Sequence, residues 1–390
     1  MASPKPGGPT RGSQTQGSST QGDPTNGPAD PTDSQVTGPE RRPRTWAEDL
    51  RCALRYGTMF VIIVAYLFAA WTLLAWEPIQ GDSFLEVASW YAAFMARTFR
   101  FHAGLAVSVL ALVLLLCRCW KLFLFTLPVC GALAGDAAWQ FAVRATRTPP
   151  PMIASAQDGE MLRIVSANLL FTCRDTVPLV ERIKARDADV IVLIEYAPHW
   201  HEAFSKALAG DYPFRVEDPM PGAFGAAIYS RHPFVSEPQA RTAPSMGKFS
   251  APRVVIQFED RPVTIQAMHL YPPMFGHIRF MRSQFQALLT AVPNDVSAGE
   301  AYVLAGDFNF TPDSAMYHAL RTGGLRNSME AAGSGFSGSW PNVRSAFFRP
   351  LMIPIDHVFY TGSMRCRASV TADAPGSDHR FVVADLEWAD

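Results

Sequence analysis

Tyr302-Val303-Leu304-Ala305-Gly306-Asp307-Phe308-Asn309, followed by Phe310-Thr311-Pro312, is the stretch on which the fold turns. An apolar run of strand type delivers a glycine and then two polar residues. Residues two apart in a strand point to one face, so Asp307 and Asn309 would project side by side where the strand ends. Pro312 suits the first turn of a following helix. A carboxylate beside a carboxamide, which both donates and accepts, can hold a water against a phosphate. A strand-end turn closed by an Asx hydrogen bond would use the same residues. The segment alone leaves these two explanations level.

Working outward, polar residues recur where apolar runs stop. Asn168 follows Ile164–Ala167, Glu195 follows Val190–Ile194, and His269 follows Val263–Met268. Asp356 opens the run Ile355–Tyr360, and Asp378-His379 precedes Phe381-Val-Val. One such residue is an ordinary turn. This many, all of metal- or phosphate-handling type, predicts convergence at one sheet edge. Between them, helical patterns at 177–186 and 278–291 alternate with further strand-like runs at 223–229, 254–258 and 368–371. The pattern from Leu162 onward is that of a layered α/β (α+β) domain.

The preceding part of the chain differs. Net charge is −1 over 390 residues. Residues 1–150 hold 13 Lys+Arg and 10 Asp+Glu (+3), and residues 151–390 hold 21 and 25 (−4). An acidic second part argues against a long nucleic-acid track, which needs clustered basic residues. Residues 1–44 are Gly-, Pro-, Ser- and Gln-rich and are predicted to be a disordered tail. Residues 45–147 are read as a membrane domain with spans at about 57–76, 103–117 and 122–141. Residues 83–95 are apolar on one side and could lie along the bilayer surface. A buried helical hairpin is the alternative for the second and third runs. Residues 148–160, with Pro149-Pro-Pro151, would be a stiff linker to a catalytic domain at 161–390. Seven basic residues flank one side of the spans (Arg41, Arg42, Arg44, Arg51, Arg55, Arg118, Lys121) and four the other (Arg97, Arg100, Arg144, Arg147). That bias predicts a multi-pass protein of the cell (inner) membrane, with a cytoplasmic N-terminus and an extracytoplasmic catalytic domain. Six cysteines without a CxxC are too scattered for a zinc site; Cys173 and Cys366 are read as separately buried, with pairing the alternative.

The motifs Asn168, Glu195 in the Ile-Glu-Tyr context, Gly306-Asp-Phe-Asn309, Ile355-Asp-His357 and Ser377-Asp-His379 resemble those of the endonuclease/exonuclease/phosphatase superfamily. Gly225–Pro233, a glycine-led run through Ser230-Arg231, is also similar to a family strand. The resemblance covers about Leu162 to Leu386, and the preceding spans resemble a membrane-anchored bacterial branch. It implies a four-layered β-sandwich flanked by helices, of the DNase I-like kind, and a hydrolase of phosphoester bonds. It implies a metal, Mg²⁺ or Mn²⁺, held by Glu195, by Asp378 and with help from Asn168. His379 would pair with Asp356, and that dyad would either activate water or contact phosphate. Asp307 and Asn309 would position the nucleophile. His269 would donate to the phosphate or leaving oxygen, and Asn168, Asn309 and Arg231 would meet phosphate oxygens. His357 is expected to pack. The nuclease branches carry Gln before the Glu and a polar residue two after the Asn; here Ile194 and Leu170 stand there. That departure weakens a strict two-metal nuclease.

Two stretches, 271–282 and 333–354, mix aromatic and aliphatic residues with arginines. They suit an amphiphile such as a phosphorylated lipid, and ordinary loop packing explains them equally. The expected partners are the bilayer and a phosphorylated substrate, lipid-linked in the first instance, with nucleic acid less favoured. Rival functions are a surface-anchored DNA or RNA endonuclease and an inactive membrane-tethered scaffold.

Overall fold

The computed structural model describes residues 44–74, 83–147, 161–239, 249–274, 276–297 and 300–389. The expected tail up to Pro43 and the linker at 148–160 lie outside the described residues. Residues 44–54 are the described part of a first unit, Met1–Leu54, and Arg55–Asp390 forms a second compact unit.

Eleven strands form two sheets: β1 (Leu162–Asn168), β2 (Val190–Ile194), β3 (Phe214–Asp218), β4 (Ala226–Ser230), β5 (Arg253–Phe258), β6 (Arg261–His269), β7 (Ala301–Asp307), β8 (Arg326–Asn327), β9 (Asp356–Tyr360), β10 (Met364–Ala372) and β11 (Phe381–Trp388). The helices are α1 (Trp46–Leu74), α2 (Phe84–Thr98), α3 (Arg100–Leu116), α4 (Trp120–Thr146), α5 (Val177–Lys184), α6 (Pro198–Leu208), α7 (Ile278–Ser297), α8 (Ala315–Thr322) and α9 (Ser328–Ala332). One sheet runs β10-β11-β1-β2-β4-β3 and the other β5-β6-β7-β9-β8. Ile164, Val192 and Ile228 of the first pack against Ile265, Val303 and Val358 of the second. On the outer side of the first sheet, Val165, Ile191 and Leu193 meet Leu179 of α5 and Trp200 and Phe204 of α6. On the outer side of the second, Tyr302 and Leu304 meet Ile278 and Phe285 of α7 and Met316 of α8. Helix, sheet, sheet, helix are the expected layers. Strands buried on both faces explain why β2 and β7 read as unbroken apolar runs rather than alternating ones.

Two strands escaped the sequence pattern. β3 is an edge strand carrying Arg215, Glu217 and Asp218, and charge of this kind discourages edge-to-edge pairing. β8 is only two residues long. Pro312 does not open the next helix. Ser314 does, accepting the Tyr317 N–H at 3.1 Å, and α8 starts at Ala315. Cys173 and Cys366 are separate free thiols.

The expectation of three spans is met in part. Two helices, α1 and α4, are long and apolar enough to cross a membrane; α2 and α3, bent by 54° at their junction, make a third only if taken together. α3 alone has 17 residues, a rise of about 25 Å against a hydrocarbon core of about 30 Å. Nor does α2 lie free on a bilayer surface. Its Val87, Trp90 and Phe94 are buried in one core with Ile278, Met281 and Phe285 of α7. α2 also begins with a capping box, Ser83 with Glu86. Three further contacts tie helix ends to one another or to the sandwich. Arg97 Nε donates to Thr72 O (3.0 Å), Arg100 pairs with Asp313 (3.1 Å), and Arg147 Nη1 donates to Gly333 O (3.2 Å).

Two positions test the packing. Gly306 has φ +150°, and a Cβ there would sit 1.9 Å from Met268 O, its neighbour in the parallel β6–β7 register. We expect Gly306→Ala to cost at least about 3 kcal/mol in urea unfolding. His357 is buried, with Nε2 donating to Phe310 O (3.0 Å) and Nδ1 facing Asn327 Nδ2 (3.3 Å). Burial holds its pKa down at about 4, below the ordinary 6.5. The unfolded chain therefore binds the extra proton between these values. This contribution, on the order of 3 kcal/mol, is present above pH 6.5 and is lost as pH falls towards 4. The urea midpoint should drop across that window, and a midpoint flat from pH 7 to 4.5 would contradict it.

Candidate active site

Strand direction builds the site. β1 and β2 are parallel, with Asn168 opposite Ile194, so Asn168 and Glu195 emerge together at their C-terminal ends. β6 and β7 are also parallel, with His269 opposite Asp307; β9 is antiparallel to β7, with Asp356 opposite Asp307. Both sheets thus present polar residues at one edge of the sandwich.

Asn168 joins them. Its Nδ2 donates to Glu195 Oε1 (3.1 Å) and to Asp307 Oδ2 (3.1 Å), and its Oδ1 accepts the Leu170 N–H (3.1 Å). Leu170 has φ +58° and Glu195 φ +59°, so both loops turn sharply through left-handed backbone. Phe171 N–H completes the Glu195 carboxylate (3.0 Å). Burial pushes the Glu195 pKa up, against the two hydrogen bonds and the His379 charge, and Asp378 adds to the rise.

Asp307 serves both explanations of the opening stretch. Its Oδ1 accepts the Asn309 N–H (2.9 Å), the Asx turn. Its Oδ2 faces Asn168, His269 Nε2 (3.7 Å) and His379 Nε2 (3.8 Å). Asn309 is left-handed (φ +53°) and its Nδ2 donates to Leu270 O (2.9 Å), leaving its carbonyl oxygen for a ligand. Burial raises the Asp307 pKa, and Asp356 adds to this while His379 opposes it.

His379 Nδ1 and Asp356 Oδ2 are 2.9 Å apart, the dyad expected from the sequence. Burial disfavours a charged His379, but Asp356 and Asp307 outweigh it and raise its pKa. Ser339 Oγ accepts the Asp356 N–H (3.0 Å), and Ser377 Oγ accepts the His379 N–H (3.0 Å) while donating to Asn168 O (2.7 Å). His269 is oriented differently from expectation. Its Nδ1 donates to Ala223 O (3.1 Å), so in the neutral ring Nε2 is a bare acceptor. Burial drives its pKa down to about 3. It therefore accepts from a ligand, and donates only after taking up a proton.

Arg231 does not belong to the site. β2 and β4 are antiparallel: Ala226 lies opposite Ile194, whereas Ser230 lies opposite Val190. Arg231 therefore sits at the far end of the sheet from Glu195. There it pairs with Asp187 and lies over the Tyr212 ring (5.1 Å). Trp340 takes a place that its sequence context did not assign. Its Nε1 donates to Asp378 Oδ2 (3.1 Å), and Asn342 N–H donates to Asp378 O. The aromatic within the mixed 333–354 stretch was the signal.

Two carboxylate sets could hold a cation. Ligand-type atoms of Asp307, Asp356 and His379 lie within 4.8 Å of one another. There, though, the His379–Asp356 bond already engages both partners. Glu195 and Asp378 are the second set. Among the described residues no Lys or Arg forms an ion pair with Glu195, Asp378 or Asp307. Neighbouring carboxylates, with the Glu195 pKa raised and no Lys or Arg paired to them, fit a hard divalent cation bound through oxygen.

Beside the site, a 3-10 turn at Ala346–Leu351 exposes Phe347 (82 %), Phe348 and Leu351. His102 Nε2 of α3 lies 3.0 Å from Leu351 O.

A two-sheet sandwich with an Asn, Glu, Asp, Asn, Asp and His cluster at one edge defines a class of phosphoester hydrolases. Residues 165–379 match the Endonuclease/Exonuclease/phosphatase family, and the chain belongs to that family. It is a hydrolase acting on phosphoester bonds, and enzymes of this family generally use divalent metals. A similar solved structure is an endonuclease/exonuclease/phosphatase from Beutenbergia cavernae, 23% identical, with TM-score 0.50, covering 59% of this chain and 72% of that one. Others are truncated Caenorhabditis elegans TDP2 (16%, TM-score 0.48, 58% and 98%) and the human Nocturnin catalytic domain with bound sulfate (18%, TM-score 0.46, 59% and 94%). No curated protein matches the chain in sequence.

Asn168→Ala should lower turnover of an activated phosphodiester at least about 100-fold, because two carboxylates lose a shared donor. Arg231→Gln should stay within about twofold of wild type, since an ion pair of this partly exposed kind is worth ~0–1 kcal/mol. A collapse of activity in the arginine variant would return Arg231 to the site.

Proposed function

We propose that the chain is a membrane-anchored, divalent-metal-dependent phosphohydrolase that cleaves a phosphoester or pyrophosphate carried by a lipid. The observation that supports it is the apolar turn Ala346–Leu351. It joins a segment bonded to Asp378 through Trp340 and Asn342, and it touches α3 through Leu351. Exposed Phe347, Phe348 and Leu351, on a turn tied to α3 and to a segment that bonds Asp378, suit a substrate with an apolar tail.

Glu195 would hold the metal, with Asp378 and Asn168 assisting. Bound there, Mg²⁺ or Mn²⁺ would offset charge that builds on the phosphate. His379, favoured in its charged form by Asp356 and Asp307, would donate through Nε2 to a phosphate oxygen. Asp307, whose buried carboxylate holds a proton more readily than usual, would take one from the attacking water. Asn309 would orient that water through its free carbonyl oxygen.

The domain would face outward. The support is the seven-to-four basic bias and the contacts of Arg100 and Arg147 with the sandwich. α1, α3 and α4 would then make three passes, α3 being the short one, with Arg97 and Arg100 at its outer end.

Turnover of a lipid phosphate by the full chain in detergent should be lost in EDTA and restored by Mg²⁺. Asp307→Asn should cost 10²- to 10⁴-fold in kcat, by the usual range for a proton-transfer group. Phe347→Ser with Phe348→Ser should raise KM for the lipid and leave a soluble phosphodiester unaffected. Plasmid nicking without lipid turnover would replace this function by the nuclease. For sidedness, a reporter after Asp390 should be active only outside the cytoplasm; cytoplasmic signal would refute three passes.

A further inference from the structure

On the outer side of the first sheet lies a cavity of about 350 Å³ that nothing above uses. Arg163, Arg186, Arg349 and Arg380 line it, with two carboxylates, Asp373 and Asp385. Asp385 is already engaged: its two oxygens accept from Nε and Nη2 of Arg163 (2.7 and 2.9 Å). Arg163 Nη1 donates to Arg186 O (3.2 Å), which makes Arg163 a fixed wall rather than a free cation. The guanidinium of Arg186 lies over the Phe381 ring (5.2 Å). Arg380 donates through Nη2 to Thr371 O (3.1 Å). Among the described residues neither Arg349 nor Arg380 forms an ion pair, and Arg349 Nε is buried without a hydrogen-bond partner. Ser334 Oγ, also in the lining, is buried and unpartnered too. Burial and the nearby cations Arg182, Arg163 and Arg380 all disfavour the charged Arg186. The planar forks of donors on Arg349 and Arg380 match phosphate oxygens, and the unpartnered Arg349 Nε and Ser334 Oγ are aimed into the cavity's wall.

We propose that this cavity is a second anion site, separate from the catalytic cluster, that takes a phosphate group on Arg186, Arg349, Arg380 and Ser334. Position favours a phosphate at the membrane surface. The Ser334–Phe336 wall is clamped by the end of α4: Gly335 N–H donates to Arg144 O (3.2 Å), and Phe336 and Phe141 rings pack 6.3 Å apart. Arg349 belongs to the same turn as exposed Phe347 and Leu351. A headgroup phosphate in the cavity could thus leave its apolar part beside those side chains. Free phosphate shares the chemistry that the arginines recognise. Arg380 follows His379 directly in the chain, so one wall of the cavity and the dyad belong to the same segment.

The test uses the full chain in a neutral detergent with EDTA, and inorganic phosphate as the probe. Binding to the folded state raises Tm with concentration. A saturable rise is expected in wild type and, equally, in His379→Ala, where the catalytic cluster is broken. Arg349→Gln should weaken the apparent affinity about tenfold, as should Arg186→Gln, while Arg349→Lys should recover part of it. Arg344→Gln, on an exposed residue outside the lining, should match wild type. Nanodiscs of phosphatidylcholine with and without phosphatidylglycerol identify the source. If the anionic lipid raises Tm and added phosphate then adds nothing, the occupant is a headgroup. If phosphate acts alike in both discs, it is the soluble ion. No saturable rise, or a rise unchanged in both Arg349→Gln and Arg186→Gln, overturns the site. So does a rise that vanishes in His379→Ala. With EDTA present and no turnover measured, failure here leaves the hydrolase activity untouched.

Discussion

A single carboxamide holds the two halves of the sandwich in catalytic register. Asn168 ends a strand of one sheet, and its two amide hydrogens go to a carboxylate from each sheet, Glu195 and Asp307. An amide nitrogen has two donors and no acceptor, so it can bridge two anions that would otherwise repel. The third polar atom, Oδ1, is held by Leu170 N–H, which fixes the amide's orientation. Around this bridge the remaining groups take places set by strand ends: His269 and Asp307 on paired parallel strands, Asp356 on their antiparallel neighbour. If the bridge were absent, the half-buried Glu195 and the buried Asp307 would face one another across the sheet interface with no shared donor between them.

That arrangement concentrates buried ionisable groups in one small volume. Burial raises the pKa values of Glu195 and Asp307 and lowers that of His269. His379 alone goes the other way, because two carboxylates flank it. The site therefore keeps a charged donor next to a carboxylate with raised affinity for protons. Such opposed tuning is the ordinary means by which one site supplies both an acid and a base near neutral pH.

The helices preceding the sandwich are integrated with it. α2 gives its apolar face to α7, and the ends of α3 and α4 contact the sandwich through Asp313 and Gly333. A tethered domain on a loose linker would swing free of its anchor. Here Arg100 and His102 of α3 and Arg147 at the end of α4 tie these helices to the sandwich.

The amino-acid sequence by itself determined the layers, the strand ends and nearly every member of the cluster. Strands buried on both faces are written as apolar runs, and the polar residue ending each run is visible without a structure. The Asp356–His379 dyad was accessible through motif resemblance. Arg231 was misplaced because its neighbours in the chain carry no record of strand direction: only the antiparallel β2–β4 pairing shows that it leaves at the opposite end from Glu195. The tautomer of His269 likewise depends on Ala223 O, 46 residues away. α2 looked like a surface helix because an amphipathic face has the same periodicity whether lipid or α7 covers it. The arginine cavity draws on residues from 163 to 385, so no local window contains it. Local pattern follows from backbone geometry and burial, which act over a few residues; partners and direction follow from packing between segments distant in the chain, and those only the tertiary structure decided.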